Sequence, residues 1–210
     1  MSAPHVEAEA PASWAAAEIA QPPLAQGSGA RFSQWEVRRS PGGEHTLVRA
    51  CVETPIPGWV EDMKTAVEAR GQGVAMATAE RTSGAPAERR DEGEWSSLRA
   101  MGAPASSPPM GALRTFLAFD DQEVATCFAV CTSTRAAEGA GAEFASPCAS
   151  VVAAARVIGG TPPPPPGLLI GASHWAVHHP THAAAGAGLA VFVLGLLAVV
   201  LRRKPRSRIQ

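Results

Sequence analysis

The stretch that decides the fold is residues 113–131, which read LRTFLAFDDQEVATCFAVC. Two apolar arms, 113–119 and 123–131, flank the turn Asp120-Asp121-Gln122, a pattern typical of a β-hairpin. Side chains alternate across a strand, so the second arm has a face of larger residues and a face of small ones. The larger are Val124, Thr126, Phe128 and Val130, and the small are Ala125, Cys127, Ala129 and Cys131. The small face predicts the close approach of a helix.

An earlier pair of strand-like segments, 32–39 and 44–52, is joined by Ser40-Pro41-Gly42-Gly43, a strong turn signal. Residues 59–70 then have the period of an amphipathic helix. Its apolar face consists of Trp59, Val60, Met63, Ala66 and Val67. Gly71 and Gly73 predict the end of this helix, which we expect to pack on the small face of the hairpin.

The segments between the helix and the hairpin are predicted from their polarity, charge and proline content. Residues 74–82 are expected to return as a strand, and the polar, charged segment 83–93 to form an exposed loop. A short strand is predicted over 94–100, followed by an irregular proline-containing loop over 100–111. Together these elements predict an α+β fold over residues 31–135, a small antiparallel sheet with one packed helix and a modest core.

The rest of the chain is biased in composition. Residues 1–30 are rich in alanine and proline and are predicted to be a disordered lead. Residues 136–182 form an Ala/Gly/Pro-rich spacer that includes Pro162–Pro166, five prolines that favour polyproline II. We interpret this run as a stiff stalk, with an SH3-like docking segment as the alternative. No internal repeat is evident.

Residues 183–201, from Ala183 to Leu201, contain no charged and no polar side chain. At ~1.5 Å per residue this run reaches about 28 Å, close to the ~30 Å hydrocarbon core of a bilayer. The sequence therefore predicts a single C-terminal transmembrane helix and a lipid bilayer as a partner. A buried helix of a soluble protein is disfavoured, because nothing else in the chain is large enough to enclose it.

Orientation follows from the basic residues after this span. They are Arg202, Arg203, Lys204, Arg206 and Arg208. The positive-inside rule predicts that the tail 202–210 is cytoplasmic and that the N-terminal domain is extracytoplasmic. Residues 1–29 oppose this topology, because they have neither the basic nor the apolar region of a secretory signal. A cytoplasmic tail-anchored assembly or regulatory protein is the alternative.

Charge and motifs restrict the function classes. The formal net charge is −1, which excludes a nucleic-acid binder driven by bulk charge. The chain lacks GxSxG, HExxH, P-loop and GxGxxG patterns. We therefore expect a non-catalytic binding or interaction domain with no cofactor and an unidentified protein or ligand partner. A third reading, a membrane-tethered hydrolase, would need His45 or an acidic pair in a pocket.

The four cysteines are Cys51, Cys127, Cys131 and Cys148, and no CxxC motif occurs among them. Zinc ribbons and thioredoxin-like motifs are thereby excluded. Within one strand Cys127 and Cys131 would lie about 13 Å apart, too far to bridge each other. Two disulfides are possible, with three formal connectivities, one of which joins Cys51 to Cys127 and Cys131 to Cys148. The alternative is four reduced, buried thiols.

Two polar clusters contain residue types that ligate metals, and neither is predicted to form a metal site. The first consists of His174, His178, His179 and His182, which have no carboxylate or thiol nearby. We interpret 167–179 instead as a short interfacial helix. The second consists of Asp120, Asp121 and Glu123, which lack the EF-hand pattern. Small residues spaced by four in the transmembrane span permit helix pairing but leave the oligomeric state open.

Overall fold

The computed structural model of the protein describes residues 3–55, 60–92, 95–104, 106–107, 109–120, 123–134, 146–161 and 179. The chain divides into two compact units, Met1–Pro164 and Pro165–Gln210. The predicted span Ala183–Leu201, the basic tail and the run Pro162–Pro166 lie outside the described residues. Within the described ranges, no helix combines the length and apolarity that crossing a bilayer requires.

The first unit contains nine strands and two helices in its described parts. In chain order they are β1 His5–Glu7, β2 Ala15–Ala16, β3 Arg31–Arg39, β4 His45–Pro55, α1 Val60–Ser83, β5 Ala87–Glu92, β6 Trp95–Ala100, β7 Gly111–Asp120, β8 Glu123–Ser133, α2 Ser146–Ala153 and β9 Arg156–Ile158. Seven strands form one sheet in the order β2-β3-β4-β8-β7-β6-β5, and β1 pairs with β9. All these pairings are antiparallel. The prediction of an antiparallel sheet with a packed helix is confirmed.

The centre of the sheet is the pair β4–β8, which runs from His45 opposite Ser133 to Pro55 opposite Glu123. β4 is the second arm of one predicted hairpin, and β8 is the second arm of the other. The β3–β4 hairpin turns through Pro41–Gly43, where Gly42 and Gly43 have positive φ. The β7–β8 hairpin brings β7 onto the other side of β8. Alternating apolar segments therefore supply the four strands on which the rest of the domain is built.

Helix α1 is twice as long as predicted. It continues through Gly71 and Gly73 to Ser83, so the predicted strand over 74–82 is wrong. Each helical glycine costs only about 1 kcal/mol relative to alanine, a cost that packing against the sheet offsets. Gly71 is required by that packing, because a Cβ built there would lie 1.8 Å from Thr126 Cγ2.

The helix also lies on the opposite face of β8 from the one predicted. Ala75 and Ala79 of α1 pack with Phe128 and Val130, and we call this side of the sheet the helix face. The small residues that allow close approach thus come from the helix, at spacings of four from Gly71. Larger side chains on the strand then fill the space between the two elements.

The small side chains of β8 belong to the other side, which we call the cystine face. Val6, Ala8 and Trp14 pack on this face together with Val151 and Val152 of α2. Residues 3–30, predicted as a disordered lead, therefore contribute β1, β2 and buried side chains. Residues 146–158, predicted as spacer, contribute α2 and β9. Residues 6–14 and 146–158 cover the cystine face, whereas Ala17, Ile19 and Leu24 pack on the helix face.

The predicted exposed loop over 83–93 contains a strand instead. β5 forms the edge of the sheet beside β6. Its charges occur as close pairs, Arg89 with Asp91 at 2.8 Å and Arg90 with Glu88 at 3.5 Å. Charged side chains on an edge strand discourage pairing with another chain, so the polarity that suggested a loop reflects the edge position.

Candidate ligand-binding site

Two disulfides hold the cystine face together. Cys51 and Cys127 are directly opposed on β4 and β8, with Cα atoms 4.0 Å apart. Cys131 joins β8 to Cys148 of α2, with Cα atoms 5.1 Å apart. All four residues are at most 1% exposed. This pairing is one of the connectivities considered from the sequence, and it leaves none of the four cysteines as a free thiol.

A hollow of about 260 Å³, which we call the hollow beneath α1, lies on the helix face and is lined by the segment 22–30 and by α1. Its floor is formed by Val52 and Thr54 of β4 and Thr126 of β8. These three residues are at most 7% exposed. The hollow therefore reaches the surface of the sheet itself, in the gap between the helix and the loop.

The walls of the hollow are mainly aliphatic. The loop side includes Pro22, Pro23 and Leu24. On the helix side, Gly73 has no atom within 4 Å of the position its Cβ would take, so the missing side chain leaves open space. Of the described residues around the hollow, Arg70 alone carries a charge, and it is exposed.

A second hollow, of about 500 Å³, is polar and is lined by residues 8–12, Trp14, Arg38 and Arg49. Arg49 already has partners: Nη2 donates to Glu36 Oε2, and Nη1 donates to Ala8 O at 3.2 Å. Its guanidinium thus fixes the N-terminal segment to β3 and β4. This larger hollow is less suited to a ligand than the aliphatic one, because the Arg49 guanidinium on its wall is already engaged within the protein.

One cluster of carboxylates occurs at the β7–β8 turn end of the sheet. Arg31 donates to both carboxylate oxygens of Glu123 at 2.5 and 2.6 Å, and its Nη2 lies 2.6 Å from Glu53 Oε2. The hydrogen bonds from Arg31 hold the pKa of Glu123 below its ordinary value. A general acid needs a raised pKa, so Glu123 is suited to linking β8 to β3. Asp121 lies outside the described residues.

His45, considered as the base of a hydrolase, stacks on Trp14 with ring centroids 5.9 Å apart. Its Nδ1 is buried without a hydrogen-bond partner, and its backbone N–H donates to Ser40 Oγ at 2.9 Å. Neither hollow described above includes His45 in its lining. Within the described ranges, no three His, Cys, Asp or Glu side chains converge as a metal site. His174, His178 and His182 lie outside them.

No family model, curated protein or solved structure matches this chain. The candidate site consequently rests on geometry. Sequence reasoning missed it because Gly73, Val74 and Ala77 had been assigned to a helix stop and a strand. The spacing of Gly71, Ala75 and Ala79 by four residues was the available signal for a longer, closely packed helix.

Proposed function

We propose that this chain is a single-pass membrane-anchored protein whose folded unit is an extracytoplasmic, non-catalytic module that binds a ligand or partner. The observation that carries the proposal is the pairing of all four cysteines as buried disulfides. Disulfides persist in oxidising compartments and are rare in the cytosol. This chemistry agrees with the orientation that the five basic residues after Ala183–Leu201 predict.

The hollow beneath α1 supports a binding role. Ligand sites are concave and mostly apolar, with few polar groups. The hollow has these properties and reaches two of the central strands. The carboxylates of Glu53 and Glu123 are less suited to acid–base catalysis, because the Arg31 guanidinium contacts both of them.

Topology is tested by fusing alkaline phosphatase, active only outside the cytoplasm, to each terminus in separate strains. The N-terminal fusion carries no signal of its own. We expect activity from the N-terminal fusion alone. Activity from the C-terminal fusion alone would overturn the orientation. It would support the cytoplasmic tail-anchored alternative.

The cysteines provide a second readout on the full chain. Cells are quenched in acid, and free thiols are labelled with a polyethylene-glycol maleimide before and after reduction. The proposal predicts four labels only after reduction. Labelling of Cys51 and Cys127 without reduction would indicate a reducing compartment.

A further inference from the structure

We infer that the hollow beneath α1 binds the alkyl chain of an anionic amphiphile, with Arg70 at its mouth receiving the negatively charged headgroup. The inference rests on the proposed binding function and names the class of ligand. A free fatty acid and the acyl tail of an anionic lipid share this chemistry, and the experiment below separates them.

The first argument is the character of the walls. Leu24, Val74 and Ala77 line the hollow and are only half-buried. Removing apolar surface from water is favourable, so a bound alkyl chain is stabilised when it covers these side chains. Few polar atoms line the space, which disfavours a sugar or a nucleotide.

The floor strengthens this choice. The Thr126 hydroxyl donates to Val67 O at 3.4 Å, so that hydroxyl is engaged within the protein. Thr54, the other polar side chain of the floor, is 7% exposed. A ligand with many hydrogen-bonding groups would lose its hydration against such a floor and gain few partners. An aliphatic chain has no such groups to leave unsatisfied.

The size of the space sets the length of the chain. A cavity of about 150 Å³ holds benzene, with six carbons, so about 260 Å³ holds about ten. A chain of this length would occupy the whole volume of the hollow. The acid group then lies at the mouth, where an exposed guanidinium can pair with it without being desolvated.

The test uses the full chain in native membranes, with decanoic acid carrying a photoreactive diazirine near its methyl end as the probe. After irradiation, the labelled peptides are identified by mass spectrometry. We expect labelling within 22–30 or 70–77 that excess decanoic acid competes away. Labelling spread over the chain, or unaffected by the competitor, would overturn the inference.

Two variants and one control test where the alkyl chain and the headgroup bind. Gly73→Leu places a side chain in the open space and should reduce labelling at least tenfold, whereas Gln72→Leu, on the same helix outside the lining, should not. Arg70→Gln should lower labelling by the acid about fivefold and leave labelling by the corresponding uncharged alcohol unchanged. Equal labelling of Gly73→Leu and Gln72→Leu would exclude this hollow as the site.

Vesicles of phosphatidylglycerol with a diazirine in one acyl chain provide the second arm. Labelling from the free acid alone assigns a fatty acid, and labelling from the vesicles assigns a membrane lipid. Absence of labelling in both arms overturns the inference, while oxidised cysteines in the same sample leave the proposed function standing. Labelling of a chain with free thiols would instead support the hollow and contradict the proposed location.

Discussion

The side-chain amide of Gln34 pairs with both backbone groups of Val6. Gln34 Oε1 accepts from Val6 N–H at 2.6 Å, and Gln34 Nε2 donates to Val6 O at 3.0 Å. The Gln34 side chain on β3 thus makes the two hydrogen bonds to Val6 of β1 that the backbone of a second neighbouring strand would otherwise make. Val6 is 1% exposed, so its backbone groups depend on Gln34 because little water reaches this residue.

Replacing Gln34 should therefore destabilise the folded unit. We expect Gln34→Ala to lower the free energy of unfolding by about 2–3 kcal/mol, because two largely buried backbone groups lose their partner. Urea denaturation of the unit Met1–Pro164 measures this change. The exposed Gln21 provides the control, with Gln21→Ala expected within about 0.5 kcal/mol of wild type. Equal stability of the two variants would contradict the role of Gln34.

Two glycines of α1 should respond to alanine with opposite signs. Gly71→Ala should lower the free energy of unfolding by about 1–3 kcal/mol, because its Cβ would overlap Thr126 Cγ2. Gly73→Ala should raise it by about 0.5–1 kcal/mol, since the position is helical and its surroundings are open. The same urea denaturation tests both. A stabilising Gly71→Ala would show that α1 does not approach β8 this closely.

The two disulfides should contribute unequally. The bond Cys51–Cys127 has a sequence separation of 76 residues, and the bond Cys131–Cys148 one of 17. Loop-closure entropy gives about 4.5 kcal/mol for the longer loop and about 3 kcal/mol for the shorter. The paired replacement Cys51→Ala/Cys127→Ala should therefore lower the urea midpoint more than Cys131→Ala/Cys148→Ala. The reverse order would mean that anchoring α2 outweighs the constraint on the unfolded chain.

Stability should decrease in acid through Glu123. Hydrogen bonds from Arg31 lower its pKa from the ordinary 4.5, so the unfolded chain binds a proton at a higher pH than the folded chain. The contribution is present above about pH 4.5 and is lost as the pH falls through the folded pKa. Urea midpoints at pH 7, 5, 4 and 3 for wild type and Glu123→Gln measure it.

The expected result is a difference between the two proteins that is constant from pH 7 to pH 5 and becomes smaller as the pH falls below about 4.5. Glu18→Gln, at an exposed position, controls for the removal of one negative charge. A difference that stays constant with pH would show that Glu123 acts by packing rather than by its charge.

The sequence pattern correctly predicted the strands in which apolar side chains alternate and which are joined by short turns. β3, β4, β7 and β8 each combine an apolar alternation with a clear turn. The same alternation could not say which side of β8 meets the helix, since both sides are apolar. That choice depends on the small residues of α1, which were assigned to two different elements.

Other elements depend on their tertiary surroundings. β5 is charged because it lies at an edge, and β1 is held by Gln34 and by β9 rather than by its own propensity. The hollow could not be predicted, because its walls come from segments far apart in sequence. The proposed transmembrane span and tail stay predictions, since they lie outside the described residues.

The pairing of β1 with β9, His5 opposite Ile158, joins the two ends of the folded unit. β4 likewise finds its central neighbour, β8, only about 75 residues later in the chain. Such distant pairings give a high contact order and slow folding. During synthesis the sheet cannot close before β8 has emerged, and β1 has no strand partner until β9 follows. The central pair β4–β8 and the pair β1–β9 therefore form only after most of the unit has left the ribosome, whereas the β3–β4 hairpin can form earlier.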